Sequence, residues 1–226
     1  MDELKHLLYN TFALESRYLY FLNGLGVTLL LTFSSFLLGT ALGVVLCAGI
    51  RSGNAAVRRA AGILKSFFVQ IPTMVLLMIM VYVIFGRSAL PILVIVIVGL
   101  TLKAASYLAE IFDAALATVQ PGEIEAARTL GMTRWQAFRY VALPQTVAAA
   151  LPLYQNQFVA TMQETSVVGY LAVIDLTRAS SIVSSRTLDA FIGLLTITLI
   201  YFLIGTVVKG LFRVLTRRMP GGGESA

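Results

Sequence analysis

Charge is scarce in this chain. Of 226 residues, 12% are Asp, Glu, Lys or Arg, 58% are hydrophobic, and the mean hydropathy is +0.86. Soluble domains carry about 25% charged and roughly 45–50% apolar residues. A water-soluble fold has nowhere to hide this much apolar side chain, so the fold class is an all-α polytopic membrane protein. Cysteine is almost missing. The single Cys47 sits in an apolar run, which excludes an intrachain disulfide or a cysteine metal cluster and reads as a small buried side chain. No G-x-x-x-x-G-K-[ST] run occurs, so nothing here cradles nucleotide phosphates. By itself the chain is not expected to be an enzyme or to hydrolyse ATP. Also lacking is the basic stub and short apolar core of a cleaved leader. Residues 1–20 mix apolar side chains with Asp2, Glu3 and Glu15, and the apolar run that follows reads as a retained span.

Five apolar stretches are long enough to cross about 30 Å of hydrocarbon as helices. They run over about 21–50, 67–85, 91–119, 145–168 and 190–212. Irregular backbone cannot face lipid, so each is expected to be helical. Gly39 and Gly43 form a G-x-x-x-G pair in the first, a spacing that can bring helices close. The net charge of +6 is concentrated between these runs. Arg51, Arg58, Arg59, Lys65, Arg128, Arg134, Arg139, Lys209, Arg213, Arg217 and Arg218 fall on one side, and Lys5, Arg17, Arg87, Arg178 and Arg186 on the other. The positive-inside bias puts the richer side in the cytoplasm, the C-terminus with it and the N-terminus outside. An odd number of spans requires that parity. Such clusters suit lipid headgroups, and no aromatic-plus-basic face marks a nucleic-acid binder. The chain therefore divides into an external or interfacial segment at 1–20, a transmembrane domain at 21–215 and a polar, disordered cytoplasmic tail at 216–226.

Chemistry concentrates first in the basic loop at 121–145. Pro121-Gly122 marks a turn, and Glu123 to Leu130 suits a helix. Gly131 suits the left-handed residue after a helix end. Thr133 suits the N-cap of a second short helix over Arg134 to Val141, and Pro144 is expected to end or kink it. Ala126 and Ala127 give the first helix an exposed face of small side chains, which a partner's groove can approach closely.

Glu125-Ala126-Ala127, Gly131 and, further on, Leu143-Pro144 resemble the EAA loop of ATP-binding-cassette importer permeases, with Val141 where that pattern commonly has Ile. The resemblance extends over about residues 20–215 to the polar amino-acid branch. It is carried by Ser106 to Phe112, Arg134-Trp135-Gln136, Arg139-Tyr140-Val141, Leu143-Pro144-Gln145, Ala150 to Leu153, Asn156-Gln157-Phe158, Gln163 to Ser166 and Leu176 to Ala179. One departure is Val69-Gln70-Ile71-Pro72-Thr73, where many members have an Arg-Gly-Thr-Pro run. The resemblance implies a permease subunit in a bacterial cytoplasmic (inner) membrane. It implies a coupling helix, with Glu125, Ala126, Ala127, Gly131, Trp135 and Pro144 at the ATPase contact. ATP and magnesium would then sit on separate ATP-binding-cassette ATPase subunits, not on this chain. A second permease chain and an extracytoplasmic solute-binding protein complete the expected partners.

A transported amino acid needs acceptors for its ammonium group and donors for its carboxylate. Glu164 can accept from the ammonium, and Asn156, Gln157, Thr165 and Ser166 can supply neutral hydrogen bonds. The resemblance places substrate contacts on this span. A Gln rather than an acid at 157 favours a neutral or mixed polar substrate over a cationic one. Glu164 fixing helix packing or an external gate is the competing reading, as is interhelical hydrogen bonding for Asn156 and Gln157. Glu110 and Asp113 read as solvated or paired with loop arginines, and Asp175 and Arg178 as a solvated surface pair, with contact to a solute-binding protein the competing reading. An ion-gradient-driven secondary transporter is the alternative function, although no repeated halves are visible.

Overall fold

In the computed structural model residues 9–216 are described, so residues 1–8 and the tail after 216 lie outside them. Helices run in the order α1 (Tyr18–Ile50), α2 (Ala55–Gln70), α3 (Thr73–Met78), α4 (Ile92–Ala117), α5 (Pro121–Thr129), α6 (Arg134–Ala137), α7 (Leu143–Glu164), α8 (Leu176–Thr187) and α9 (Phe191–Thr216). Wider turns extend α3 over Ile79–Ile84 and join α6 to α7 over Phe138–Ala142, and a tighter turn continues α7 over Thr165–Leu171. No strand occurs among the described residues. By length and composition α1, α4 and α9 can each cross a membrane, and the count reaches five if two bent helix pairs are each one span.

Those bent pairs refine the five runs read from sequence. The run at 67–85 is not one helix. Its first residues complete α2, and the chain breaks at Ile71-Pro72, where Pro72 takes an extended ψ of 135°. Proline supplies no N–H and disfavours the helical conformation of the residue before it, which accounts for the break. Helix α2 itself occupies a stretch that reads as a basic loop. It starts because the Asn54 side chain accepts from the Ala56 N–H at 2.9 Å, a helix N-cap.

The chain folds as two compact units. The first comprises residues up to 37, 71–101 and 159–207, and the second 38–70, 102–158 and 208 onward. In the first, Phe21, Leu176, Val183 and Ile197 form a buried cluster, against which Phe12, Tyr20 and Tyr201 pack. Phe12 meets Phe21 at 5.6 Å between ring centroids, so these aromatics serve packing within the unit. Asp175, read from sequence as a solvated surface residue, is fully buried. It caps α8 by accepting from the Thr177 and Arg178 N–H groups at 3.0 and 2.9 Å. Thr28 of α1 accepts the first backbone donor of α8, the Leu176 N–H, at 3.1 Å. Gly24 allows this approach, since a Cβ there would stand 2.7 Å from the Asp175 carbonyl oxygen. Replacing Asp175 by Ala is expected to cost about 1–2 kcal/mol and to lower the thermal midpoint in detergent by several degrees. Asp175→Asn, which keeps the cap, should lose less than half as much. Equal losses in the two variants would show that capping is not what Asp175 contributes.

In the second unit Leu46, Cys47 and Ala109 form the buried centre, with Ile50, Ala61, Phe112 and Leu116 around it. Gly43 meets α4 closely, a Cβ there standing 3.0 Å from Leu108 Cβ. In hydrocarbon, where burying apolar side chains gains little, such close packing and hydrogen bonding hold helices together. That also explains why Leu37, Val83 and Phe202 stand at least 72% exposed.

Candidate functional site

The loop at 121–145 lies wholly in the second unit and its local chemistry sets its shape. Pro121 opens α5, where a missing N–H costs nothing. Thr133 and Gln136 form a reciprocal capping box at the start of α6, with the Thr133 N–H donating to Gln136 Oε1 at 2.8 Å and the Gln136 N–H to Thr133 Oγ1 at 3.2 Å. Between them, the Met132 N–H reaches the Ala127 carbonyl and the Gly131 N–H the Arg128 carbonyl, at 3.2 and 3.0 Å. This is a Schellman turn, and Gly131 takes its left-handed position with φ +89°. A Cβ at Gly131 would meet nothing within 4 Å. The requirement for glycine is therefore conformational rather than steric.

Two expectations for this loop change. Ala126 is exposed, whereas Ala127 is 5% exposed and faces into the unit. Adjacent residues on a helix lie about 100° apart, and on this nine-residue helix Ala127 turns to the buried side while Ala126 stays outside it. The outward surface of the loop is built instead from Ala126, Leu130 and Trp135, the last two 83% and 68% exposed. Pro144 does not end the second helix. The chain stays helical through Leu143 into α7, because the wider turn over Phe138–Ala142 relaxes the geometry where the proline ring would press on the carbonyl four residues earlier. Glu125 is exposed, and its neighbour Glu123 accepts a hydrogen bond from Gln145 Nε2.

A cleft of about 1020 Å³ opens beside this loop, lined from α1 by Val44 and Ala48, from the loop by Glu125, Arg128 and Arg134, and from α7 by Tyr154 among others. All of its lining residues belong to the second unit. Tyr154 shares a 2.9 Å hydrogen bond with Thr40 and packs its ring against Phe112 and Phe212.

The charges of α4 find partners inside the same unit. Asp113 accepts from Arg51 at 2.8 Å, the loop-arginine pairing expected of it, while Glu110 stands 3.9 Å from Lys65. Lys103, 3% exposed, donates to the Val69 carbonyl at 3.2 Å and lies over the Tyr107 ring. Tyr107 donates to that same carbonyl at 3.4 Å. Two donors thus satisfy a carbonyl in the last turn of α2, just before the break at Pro72. No sequence signal links Lys103 to Val69; its burial in an apolar run shows only that it needs an acceptor.

The predicted substrate residues divide between the units. In the second, Asn156 is exposed and Gln157 buried. In the first, Glu164 and Ser166 are half-buried, and Thr165 is fully buried with its hydroxyl donating to the Met162 carbonyl at 2.8 Å. The Thr165 proton is thereby committed, leaving its oxygen only as an acceptor. Glu164 closes α7, and the tighter turn Thr165–Leu171 begins directly after it. Among the described residues no group of three or more His, Cys, Asp or Glu could hold a metal ion.

Comparison with known proteins adds to this geometry. The profile of the binding-protein-dependent transport system inner membrane component family matches residues 35–220. The chain is 30% identical to a probable amino-acid permease protein, YxeN, of Bacillus subtilis over 201 residues, covering 87% of this chain and 89% of that protein. It is 31% identical to HisM of Salmonella typhimurium, a histidine/lysine/arginine/ornithine transport system permease protein, over 213 residues, covering 88% and 89%. Among solved structures, the crystal structure of an amino acid ABC transporter with histidines superposes with a TM-score of 0.83 at 30% identity, covering 92% of this chain and 97% of that one. The ion-gradient alternative finds no support among these proteins. The chain belongs to the family of binding-protein-dependent transport system inner membrane components, the permease subunits of ABC importers.

Proposed function

We propose that this chain carries a polar amino acid across a bacterial cytoplasmic membrane by alternating access, driven by separate ATP-binding-cassette ATPase subunits. The observation that carries this reading is the loop at 121–145, a capped and turned helix pair that holds Ala126, Leu130 and Trp135 outward on a rigid frame. Such a surface suits a protein groove. Its short hydrogen bonds let it move as one body when the partner moves. The amino-acid substrate class rests on the names of the similar permeases. Within the span, Glu164 is the acceptor for the substrate ammonium, and Asn156, Gln157 and Ser166 offer neutral hydrogen bonds, with Thr165 an acceptor only. The basic side of the chain faces the cytoplasm with the C-terminus, and the N-terminus lies outside. ATP and magnesium bind on the ATPase subunits, a second permease chain completes the path, and an extracytoplasmic solute-binding protein delivers the substrate.

Proteoliposomes test the reading. The chain, reconstituted with a partner ATPase, a second permease chain and a solute-binding protein, should take up a labelled polar amino acid only with ATP inside the cytoplasmic-side compartment. Dissipating proton and sodium gradients should leave that uptake unchanged. Uptake that persists without ATP and collapses with an ionophore would overturn it.

A further inference from the structure

The cleft of the second unit joins two chemistries. Its wall includes residues of α1 that stand in a span, Val44 and Ala48, both exposed. It also includes loop residues, Arg128 and Arg134. Neither guanidinium group has an ion-pair or hydrogen-bond partner among the described residues, whereas that of Arg51, which also lines the cleft, is tied to Asp113. Glu125 is the only acid on the wall, against those three arginines. The volume, about 1020 Å³, is at the upper end of the roughly 300–1,000 Å³ of small-molecule sites. Basic pockets between membrane helices on the cytoplasmic side suit anionic lipid headgroups.

We propose that this cleft holds one acidic phospholipid, with its phosphate at Arg128 and Arg134 and an acyl chain along Val44 and Ala48. An acidic protein segment or a free phosphate would answer the two guanidinium groups but leave the apolar wall uncovered. A neutral lipid would cover the wall but leave the arginines unpaired. An acidic phospholipid answers both, and it reaches from hydrocarbon to headgroup depth as the lining does. None of its lining residues is a predicted substrate residue. Its test reads lipid retention rather than transport, so its failure leaves the importer reading untouched.

Native mass spectrometry of the full chain in detergent tests the proposal, with phosphatidylglycerol and phosphatidylcholine of the same acyl chains added in equal amounts. The wild type should retain phosphatidylglycerol at least tenfold over phosphatidylcholine. Arg128→Gln with Arg134→Gln should bring the two lipids to parity. Ala48→Trp, a substitution at an exposed position that narrows the wall, should lower retention of phosphatidylglycerol while keeping both arginines and the helical circular dichroism. Equal retention of both lipids by the wild type would overturn the proposal. So would a preference that survives the arginine substitutions, or retention untouched by Ala48→Trp, which would indicate diffuse headgroup binding elsewhere. Full competition by glycerol phosphate would assign the arginines to a free anion, and expulsion of the lipid by added ATPase would assign the cleft to that subunit.

Discussion

Replacing Ala126 by tryptophan is expected to abolish co-purification of the ATPase and to reduce ATP-driven uptake to background, while the chain still inserts and melts as before. Ala126 is exposed on α5 and its neighbours across the turn, Leu130 and Trp135, are exposed with it. A large ring there would hold a docking groove away from the helix. Losing the centre of an interface costs about 2 kcal/mol or more, roughly a 30-fold weaker association. An exposed substitution in the isolated chain stays within about 0.5 kcal/mol, which separates loss of docking from loss of fold. Gly131→Ala is the graded companion. It meets no steric obstacle, yet forces a side chain into the left-handed region at about 1–2 kcal/mol. It should weaken assembly several-fold without abolishing it. An Ala126→Trp chain that assembles and transports normally would remove this loop from the ATPase contact. The same substitution at Ala127 would be uninformative, because that side chain is buried and the variant would disturb the loop itself.

The second large effect concerns Glu164. Glu164→Ala should lower uptake by about 10- to 100-fold, the loss expected when a hydrogen bond to a charged group worth roughly 1.5–3 kcal/mol is removed, with ATPase assembly unchanged. Glu164→Gln separates the two readings of this residue. Glutamine keeps the size and the hydrogen bonding but not the charge that attracts an ammonium. If Glu164 meets substrate, Gln fails nearly as badly as Ala. If it fixes the end of α7 against the tight turn that follows, Gln restores uptake. Full activity in the Gln variant would therefore end its assignment to substrate. Asn156, Gln157 and Ser166 depend on the same question, because a neutral hydrogen bond alone gives little selectivity for a charged group.

Much of the loop could be read from residues because its determinants are local. Thr133 and Gln136, Gly131 and Met132, and Pro121 act over three to five positions, so a linear pattern carries their geometry. Asn54 and Asp175 carried equally local N-cap signals, which the basic and polar character of their surroundings obscured. Span boundaries were readable where composition alone decided them, as in α1, α4 and α9. They were not readable at 67–85, where one apolar run contains a helix end, Pro72 and a helix start.

By itself the sequence determined that this is a helical membrane protein and where the capped turn of the loop lies. Hydrophobicity and backbone rules acting within one turn are enough for that. Only the tertiary structure decided that Ala126 faces out and Ala127 in. It alone made Asp175 a buried cap, placed Lys103 and Tyr107 on one carbonyl of α2, and left the Arg128 and Arg134 guanidinium groups without a partner among the described residues, beside a largely apolar cleft. Tertiary contacts of this kind join residues 34, 62 and 148 positions apart, as Lys103 with Val69, Arg51 with Asp113 and Thr28 with Leu176 show. Helical periodicity tells which side chains share a face but carries no record of which helix will meet that face.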